Sequence, residues 1–299
     1  MTFKRGAFVA LGSRLSGVPE VTTLGVKPNF PDYSSEERGL ILDAEVILYP
    51  TDHYAEFFMT LGKAIFPSLE TCLYSDDKLK QTTLFNMLGF PHPLTRFYYR
   101  RHHGEVLKDW SFPFVAKKPR ASAQGRGVFK IERREQLEAY LRSNPLAYIQ
   151  EWIPHERDLR VILVNYDPIL AYWRTRKREN FKTNVYQGGA ISFEHVPEEA
   201  VALAKEVARK CRFNDAGLDL LPHNGKWYVL EANMKYGRKG LAMKGVDLKE
   251  AIRQKLLSGE LTPHRRRSLN GGEGETLPIS RPFSRAEEMG LGQGERGGW

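Results

Sequence analysis

The 299-residue sequence predicts an α+β protein. Two features predict it. Capped, amphipathic helical stretches alternate with pairs of β-prone runs joined by turn residues; the clearest pair is "GLDLLPHNGKWYVLEAN" at 217–233, where Asn-Gly separates two apolar runs. The first seventy-odd residues instead alternate shorter strand-like and helical runs, which reads as a small α/β unit.

In that unit "GAFVALG" and "AEVILYP" are the expected strands and "DHYAEFFMTLGKAIF" the expected helix. "SDDKLKQTTLFNMLGFPHP" is a helix N-capped by Ser75, with acids in its first turn and Gly89 closing it before Pro91. "FPFVAKKPRASAQGRGVFKIE" reads as strand, small-residue loop, strand; "REQLEAYLRS" follows as helix and "AYIQEWI" as strand. "DLRVILVNYDPILAYWR" is a second hairpin, turning between Asn165 and Pro168. Pro197 and two acids start a helix that gathers Ala200, Ala204, Val207, Ala208 and Cys211 on one face, and "DLKEAIRQKLLSG" makes the last helix. The expected organisation is 1–74, the α/β unit; 75–262, the α+β body; and 263–299, a Gly-, Pro- and charge-rich stretch read as a disordered tail.

With 41% hydrophobic residues the chain can bury a core. An excess of 45 Lys+Arg over 36 Asp+Glu, a net +9, suits an anionic partner without choosing one. Only Cys72 and Cys211 are present, far apart, so a disulfide framework is not expected and a reducing cytoplasm is the simplest location. No run is apolar enough for a membrane span, and the opening residues, whose apolar stretch Arg14 interrupts, do not read as a signal peptide.

Three stretches hold candidate chemistry. In "KKPRASAQGRG", Gly125 and Gly127 sit among small residues, so backbone N–H groups there can approach a phosphate closely, and Lys117 on the strand before them can add a charge. The Lys precedes the glycines and a strand follows, so this is no Walker loop; read alone, the stretch is more simply an ordinary glycine-containing hairpin turn. "IQEWIPHERD" runs a strand into a loop with Glu151 and Asp158, groups able to meet a purine edge and ribose hydroxyls, or simply surface charges. In the Asn-Gly hairpin, Asp219, Glu231 and Asn233 are either a solvated face or oxygen ligands for a cation. Side chains alternate along strands, so a two-residue turn sends Asp219 and Glu231 to opposite faces, whereas an odd loop such as His223-Asn224-Gly225 turns all three one way. A cation site is therefore expected to come with an odd loop.

Taken in chain order, "DDKLKQ", "FPFVAKKPRASAQGRGVFKIE", "IQEWI", "DLRVILV", "FKTNVYQGGA", "AGLDLL" and "VLEAN" resemble the ATP-grasp superfamily and, within it, the RimK-like ATP-dependent carboxylate–amine ligases, over roughly residues 75 to 258. The resemblance implies two α+β subdomains, 75–150 and 151–262, gripping ATP. It implies phosphate contacts from Lys78, Lys117 and the loop through Gly125 and Gly127. Glu151 and Trp152 fall at the adenine hinge and Asp158 at the ribose; Arg174, Lys182 and Asn184 fall near the phosphates as catalytic anion ligands. Asp219, Glu231 and Asn233 match the ligands of Mg²⁺, with two ions expected and Mn²⁺ as a substitute. The chain departs from the pattern at "NMKYGRKG", where relatives follow the Asn with a small residue, Pro and Gly, and at Gln187, where a basic residue is common. The N-terminal region also looks shorter.

The implied reaction is ligation: a carboxylate activated as its acyl phosphate and captured by an amine, such as glutamate or another amino acid added to a peptide or small molecule. The partners are then ATP, an acid and an amine, with homo-oligomerisation open and no membrane. Two alternatives stand beside it: a basic binding protein for nucleic acid or an acidic partner, using "RTRKRENFK" and the "HRRR" tail on a degenerate core, and an ATP-grasp phosphotransferase.

Overall fold

The computed structural model describes residues 6–120, 127–176, 189–261 and 263–264, and its strands form three sheets. The first is parallel: β1 (Phe8–Ala10), β2 (Val21–Thr23), β3 (Val46–Leu48) and β4 (Ala64–Phe66) lie in the order β2-β1-β3-β4. Parallel strands need crossovers. Helix α1 (Ser35–Asp43), entered through a Ser34–Glu37 capping box, makes one and α2 (Thr51–Thr60) another. The helix expected through "DHYAEFFMTLGKAIF" therefore stops early. Gly62 takes φ +72°, which few other residues tolerate, and Ala64-Ile65-Phe66 leave as a buried strand.

After α3 (Leu69–Leu73) comes α4 (Lys78–Met87). Its N-cap is Asp77, not Ser75: the Asp77 carboxylate accepts from the Lys80 N–H at 3.0 Å, the reach a cap needs, while the Ser75 hydroxyl sits outside the helix. The second sheet is antiparallel, ordered β5-β8-β6-β7, from β5 (Thr95–Tyr99), β6 (Phe114–Lys117), β7 (Val128–Ile131) and β8 (Leu146–Glu151). Beside it lie α5 (Val106–Asp109) and α6 (Arg134–Ser143), which packs Leu137 and Tyr140 against Phe114, Ala116, Ile131 and Ile149.

The third sheet, also antiparallel, comprises β9 (Arg157–Val164), β10 (Asp167–Thr175), β11 (Ala190–Ser192), β12 (Asp215–His223) and β13 (Lys226–Asn233), ordered β11-β10-β9-β12-β13. The β9–β10 turn is Asn165-Tyr166, both with positive φ. One face of the sheet, through Leu159, Val161, Leu163, Leu218, Leu220 and Val229, packs on the small residues of α7 (Glu198–Cys211) that the sequence placed on a single stripe. Alternation then sends Asp158 and Arg160 to the other face. On that face Ile162 and Val164 join a core with Leu248, Ile252 and Leu256 of α9 (Leu248–Leu257) and with the parallel sheet. The short α8 (Lys239–Lys244) precedes α9, and Gly240 in it lets the ring of Tyr172 lie against the helix: a Cβ there would fall 2.5 Å from that ring.

A buried polar cluster ties the parallel sheet to the third one. Asp215, 1% exposed, accepts from Tyr236 at 2.7 Å, Tyr49 at 2.8 Å and Arg14 at 3.2 Å, and the Arg14 guanidinium lies between the two tyrosine rings. Among the described residues no helix is long and apolar enough to cross a membrane.

Candidate active site

The 217–233 hairpin solves its parity problem differently from the expected way. Its loop is the two-residue turn Asn224-Gly225, both at positive φ, with His223 paired to Lys226. The expected odd loop is not present. Four pairs from the tip the register shifts: Leu220 still faces Val229, but Asp219 faces Glu231, so Leu230 is an extra residue in β13. A bulge of one residue changes the parity of everything beyond it. Asp219, Glu231 and Asn233 consequently face one way, and the Asn233 amide donates to Asp219 at 3.0 Å and to Glu231 at 3.1 Å.

Register then aligns a polar row across four strands. Tyr172 on β10 lies opposite Arg160 on β9, Arg160 opposite Asp219 on β12, and Asp219 opposite Glu231 on β13. Arg160 donates to both Asp219 oxygens at 2.7 Å. One step along, Arg174 lies opposite Asp158 and donates to its two oxygens at 2.7 and 2.8 Å, while its Nη2 also stands 2.9 Å from Asp219 Oδ2. Burial alone would lower the Arg174 pKa, but the charges of Asp158 and Asp219 outweigh it and raise it. The sequence of "DLRVILV" assigns Arg160 no role by itself. Its signal was there: it is two residues from Asp158 on a strand, so the two must share a face.

The opposite wall comes from α4 and the second sheet. Lys78 Nζ lies 3.5 Å from Glu231 Oε2. One turn along, Gln81 donates to the Ala232 carbonyl at 2.8 Å and accepts from the Ala232 N–H at 2.9 Å, fixing the backbone between Glu231 and Asn233. Lys117, on β6, is buried with Nζ over the Tyr148 ring at 5.7 Å. Burial pushes its pKa down to about 8, and Lys78 adds to that, against the pull of Glu231 and Asp219. Glu231 responds oppositely. Burial would raise it, yet the charges of Lys78 and Lys117, the Asn233 hydrogen bond and Arg160 hold it at about 2.

The remaining candidates are spread around this centre. Glu151 ends β8 and accepts from the Leu94 N–H at 2.7 Å; Trp152 follows it, with Lys130 Nζ 5.1 Å from its ring. Asp158 is 2% exposed and faces Arg174, not solvent. Gly127 carries the carbonyl that accepts from the Lys118 N–H at 2.6 Å. Gly125, Lys182 and Asn184 lie outside the described residues, as do Gln187, most of "RTRKRENFK" and the 265–299 tail.

The donor set fits a hard divalent cation such as Mg²⁺. Asp219, Glu231 and Asn233 offer oxygen ligands on one face, and Glu231, 27% exposed at its side chain, opens to solvent. Among the described residues no cluster of three or more His, Cys, Asp or Glu stands ready as an all-protein cage. Mg²⁺ commonly takes one or two carboxylates and keeps its other positions for water and phosphate oxygens. The Asn233 amide now points its nitrogen at both carboxylates, so it must turn over to offer oxygen.

Comparison with known proteins is consistent with this geometry. A family model described as the RimK-like ATP-grasp domain matches residues 75–256. The coenzyme gamma-F420-2:alpha-L-glutamate ligase of Methanococcus maripaludis is 28% identical over 206 residues, 66% of this chain and 71% of that protein. The ribosomal protein bS6–L-glutamate ligase of Escherichia fergusonii is 29% identical over 181 residues, 58% of this chain and 60% of that protein, so the match spans well under its full length. A solved RimK domain ATP-grasp protein from Sphaerobacter thermophilus shares the fold with a TM-score of 0.63 at 17% identity, covering 83% of this chain and 98% of that one.

Proposed function

The chain belongs to the RimK-like ATP-grasp family, and on that premise we propose that it is an ATP- and Mg²⁺-dependent carboxylate–amine ligase, with an amino acid, glutamate first among them, as the amine. One observation carries the reading. Lys78 and Lys117 from one wall and Arg160 and Arg174 from the other converge on Asp219 and Glu231, a centre built to handle phosphates and a hard cation together.

A carboxylate is a poor acyl donor because oxide is a poor leaving group; conversion to the acyl phosphate removes that barrier. Bound Mg²⁺ supplies charge neutralisation of the phosphate oxygens. The protein's share is positioning. Asp219, Glu231 and Asn233 would hold the cation. Lys78, Lys117 and Arg174 would fix the transferring phosphoryl group, and the sequence resemblance adds Lys182, Asn184, Gly125 and Gly127 to the residues proposed to contact it. Glu151 and Trp152 would meet the adenine. In phosphoryl transfer little more is required than such placement and charge. A carboxylate oxygen would attack the γ-phosphorus as its bond to ADP breaks and ADP leaves with the bonding pair; the amine would then attack the acyl carbon, forming the C–N bond as phosphate leaves with its bonding pair and the amine's proton passes to solvent.

Glu231→Gln tests the reading. ATP turnover dependent on Mg²⁺ should fall by roughly 10²-fold or more, as when one preorganised charge contact is lost, with far-UV circular dichroism unchanged; undiminished turnover would sink the metal assignment. Product analysis with ATP, Mg²⁺ and a panel of acids and amino acids separates the alternatives. A ligase releases ADP and phosphate only with both acid and amine present, a phosphotransferase leaves a stable phosphorylated product, and a binding protein does neither.

A further inference from the structure

Three nitrogens crowd one oxygen of the Asp219 carboxylate, Oδ2. Oδ1 accepts from Arg160 Nε at 2.7 Å; Oδ2 accepts from Arg160 Nη2 at 2.7 Å and Asn233 Nδ2 at 3.0 Å and is ion-paired with Arg174 Nη2 at 2.9 Å. Each carboxylate oxygen has about two lone-pair sites, so the hydrogen bonds from Arg160 and Asn233 fill Oδ2, the Arg174 guanidinium crowds it further, and a cation can reach that oxygen only by displacing one of them. A metal ion needs the same lone pairs. The guanidinium groups and the cation therefore compete for one acceptor.

The charge balance points the same way. Among the described residues, four cationic side chains, Lys78, Lys117, Arg160 and Arg174, face three carboxylates, Asp158, Asp219 and Glu231, in this centre. A bare divalent cation meets net positive charge. A cation already bound to a nucleoside triphosphate arrives as an anionic complex and meets a complementary field. Its phosphate oxygens also give the guanidinium of Arg174 an alternative acceptor with fork geometry.

We infer that Arg174, held in place by Asp158, is a positioning residue that keeps Asp219 closed to free divalent cation and yields it when nucleotide phosphates arrive. The inference rests on the assignment of Asp219, Glu231 and Asn233 as cation ligands proposed above. It gives Asp158 a task different from ribose contact: its two oxygens hold the guanidinium whose Nη2 reaches Asp219. Linkage makes the effect reciprocal, because a cation that binds better once nucleotide is present must improve nucleotide binding by the same factor.

The test uses Mn²⁺ as the probe on the full chain, with free Mn²⁺ read by electron paramagnetic resonance, without nucleotide and with a non-hydrolysable ATP analogue. Wild type should bind Mn²⁺ weakly without nucleotide. The pair Asp158→Asn/Arg174→Gln removes the two charges together, so neither is left buried alone, and leaves Asp219 to Arg160. It should tighten nucleotide-free Mn²⁺ binding by about tenfold and shrink the coupling between Mn²⁺ and the analogue by a similar factor, even though turnover falls. Arg174→Lys guards against a folding failure: it keeps the charge beside Asp158 but loses the fork, so it should move nucleotide-free Mn²⁺ binding the same way by less. Unchanged or weaker nucleotide-free binding in both variants overturns the inference. Glu231→Gln separates the two failures. If it abolishes Mn²⁺ binding beyond that of the analogue itself while the Arg174 variants do nothing, the metal site stands and the competition falls; if it changes nothing, the metal assignment has failed.

Discussion

Gln81 and Ala232 are paired as if Gln81 were a piece of strand: its side-chain amide donates to the Ala232 carbonyl at 2.8 Å and accepts from the Ala232 N–H at 2.9 Å. β13 is the edge of its sheet, so its outer backbone groups lack a strand partner, and the side chain of a helix residue supplies one. Gln81→Ala leaves both buried backbone groups without that partner, at about 1–3 kcal/mol for each. The expected outcome is a lower melting temperature together with a raised KM for the Mg²⁺–nucleotide complex, because Glu231 and Asn233 flank the loosened residue. A variant that melts lower with unaltered kinetics would show that the contact serves stability alone.

Lys117 supplies a pH signature. Burial depresses its pKa from the model-peptide value of 10.5 to about 8 in the free protein. Phosphate oxygens beside the ammonium would raise it again. Above about pH 8 the free protein is partly neutral at Lys117, so nucleotide binding should take up a proton there and weaken as pH rises further. Calorimetric titration of the ATP analogue at pH 8.5 in buffers of different ionisation enthalpy reads the uptake, and Lys117→Met should abolish it.

Asp215 should be costly to remove. It accepts from Arg14, Tyr49 and Tyr236 while 1% exposed. Asp215→Ala strands a largely buried guanidinium and two hydroxyls, and breaking one partner of such a buried pair costs about 3–5 kcal/mol. Urea titration should show a lower midpoint; a midpoint within error of wild type would mean that the cluster contributes little.

How much of this was legible in the sequence depended on whether a feature was local. The α7 stripe of Ala200, Ala204, Val207, Ala208 and Cys211 follows from helical periodicity, and all five are buried. Gly89, at φ +71°, closes α4 where its position before Pro91 places it. The non-local features were harder. The three short residues of β4 carry the same apolar composition as the end of a helix, and only pairing with β3 distinguishes them. Asp77 and Ser75 are both good caps, and the choice rests on which carboxyl or hydroxyl meets the Lys80 N–H. The bulge at Leu230 has no signature in "WYVLEAN", because pairing with β12 creates it. Gln81 was unreadable as a strand mimic before α4 was seen beside β13.

Both cysteines should be slow to alkylate. Burial pushes the Cys72 thiol up to about 12, with Asp52, Asp215 and Glu70 adding to it, and burial alone does the same for Cys211. The thiolate is the reactive form. Iodoacetamide at pH 8 should leave both unmodified in the native protein and label both after denaturation, as intact mass will show. Rapid native labelling of Cys211 would mean that α7 opens readily.

The hairpin tip has one more consequence. Because the bulge at Leu230 sets the facing of Glu231 well below the turn, nothing in the polar row depends on what the tip contains or how long it is while His223 stays paired with Lys226. The tip is thus an insertion point for engineering. A longer loop there can carry a tag or a reporter cysteine while the acids keep their facing, because added residues join the loop and leave Asp219 opposite Glu231 and Arg160.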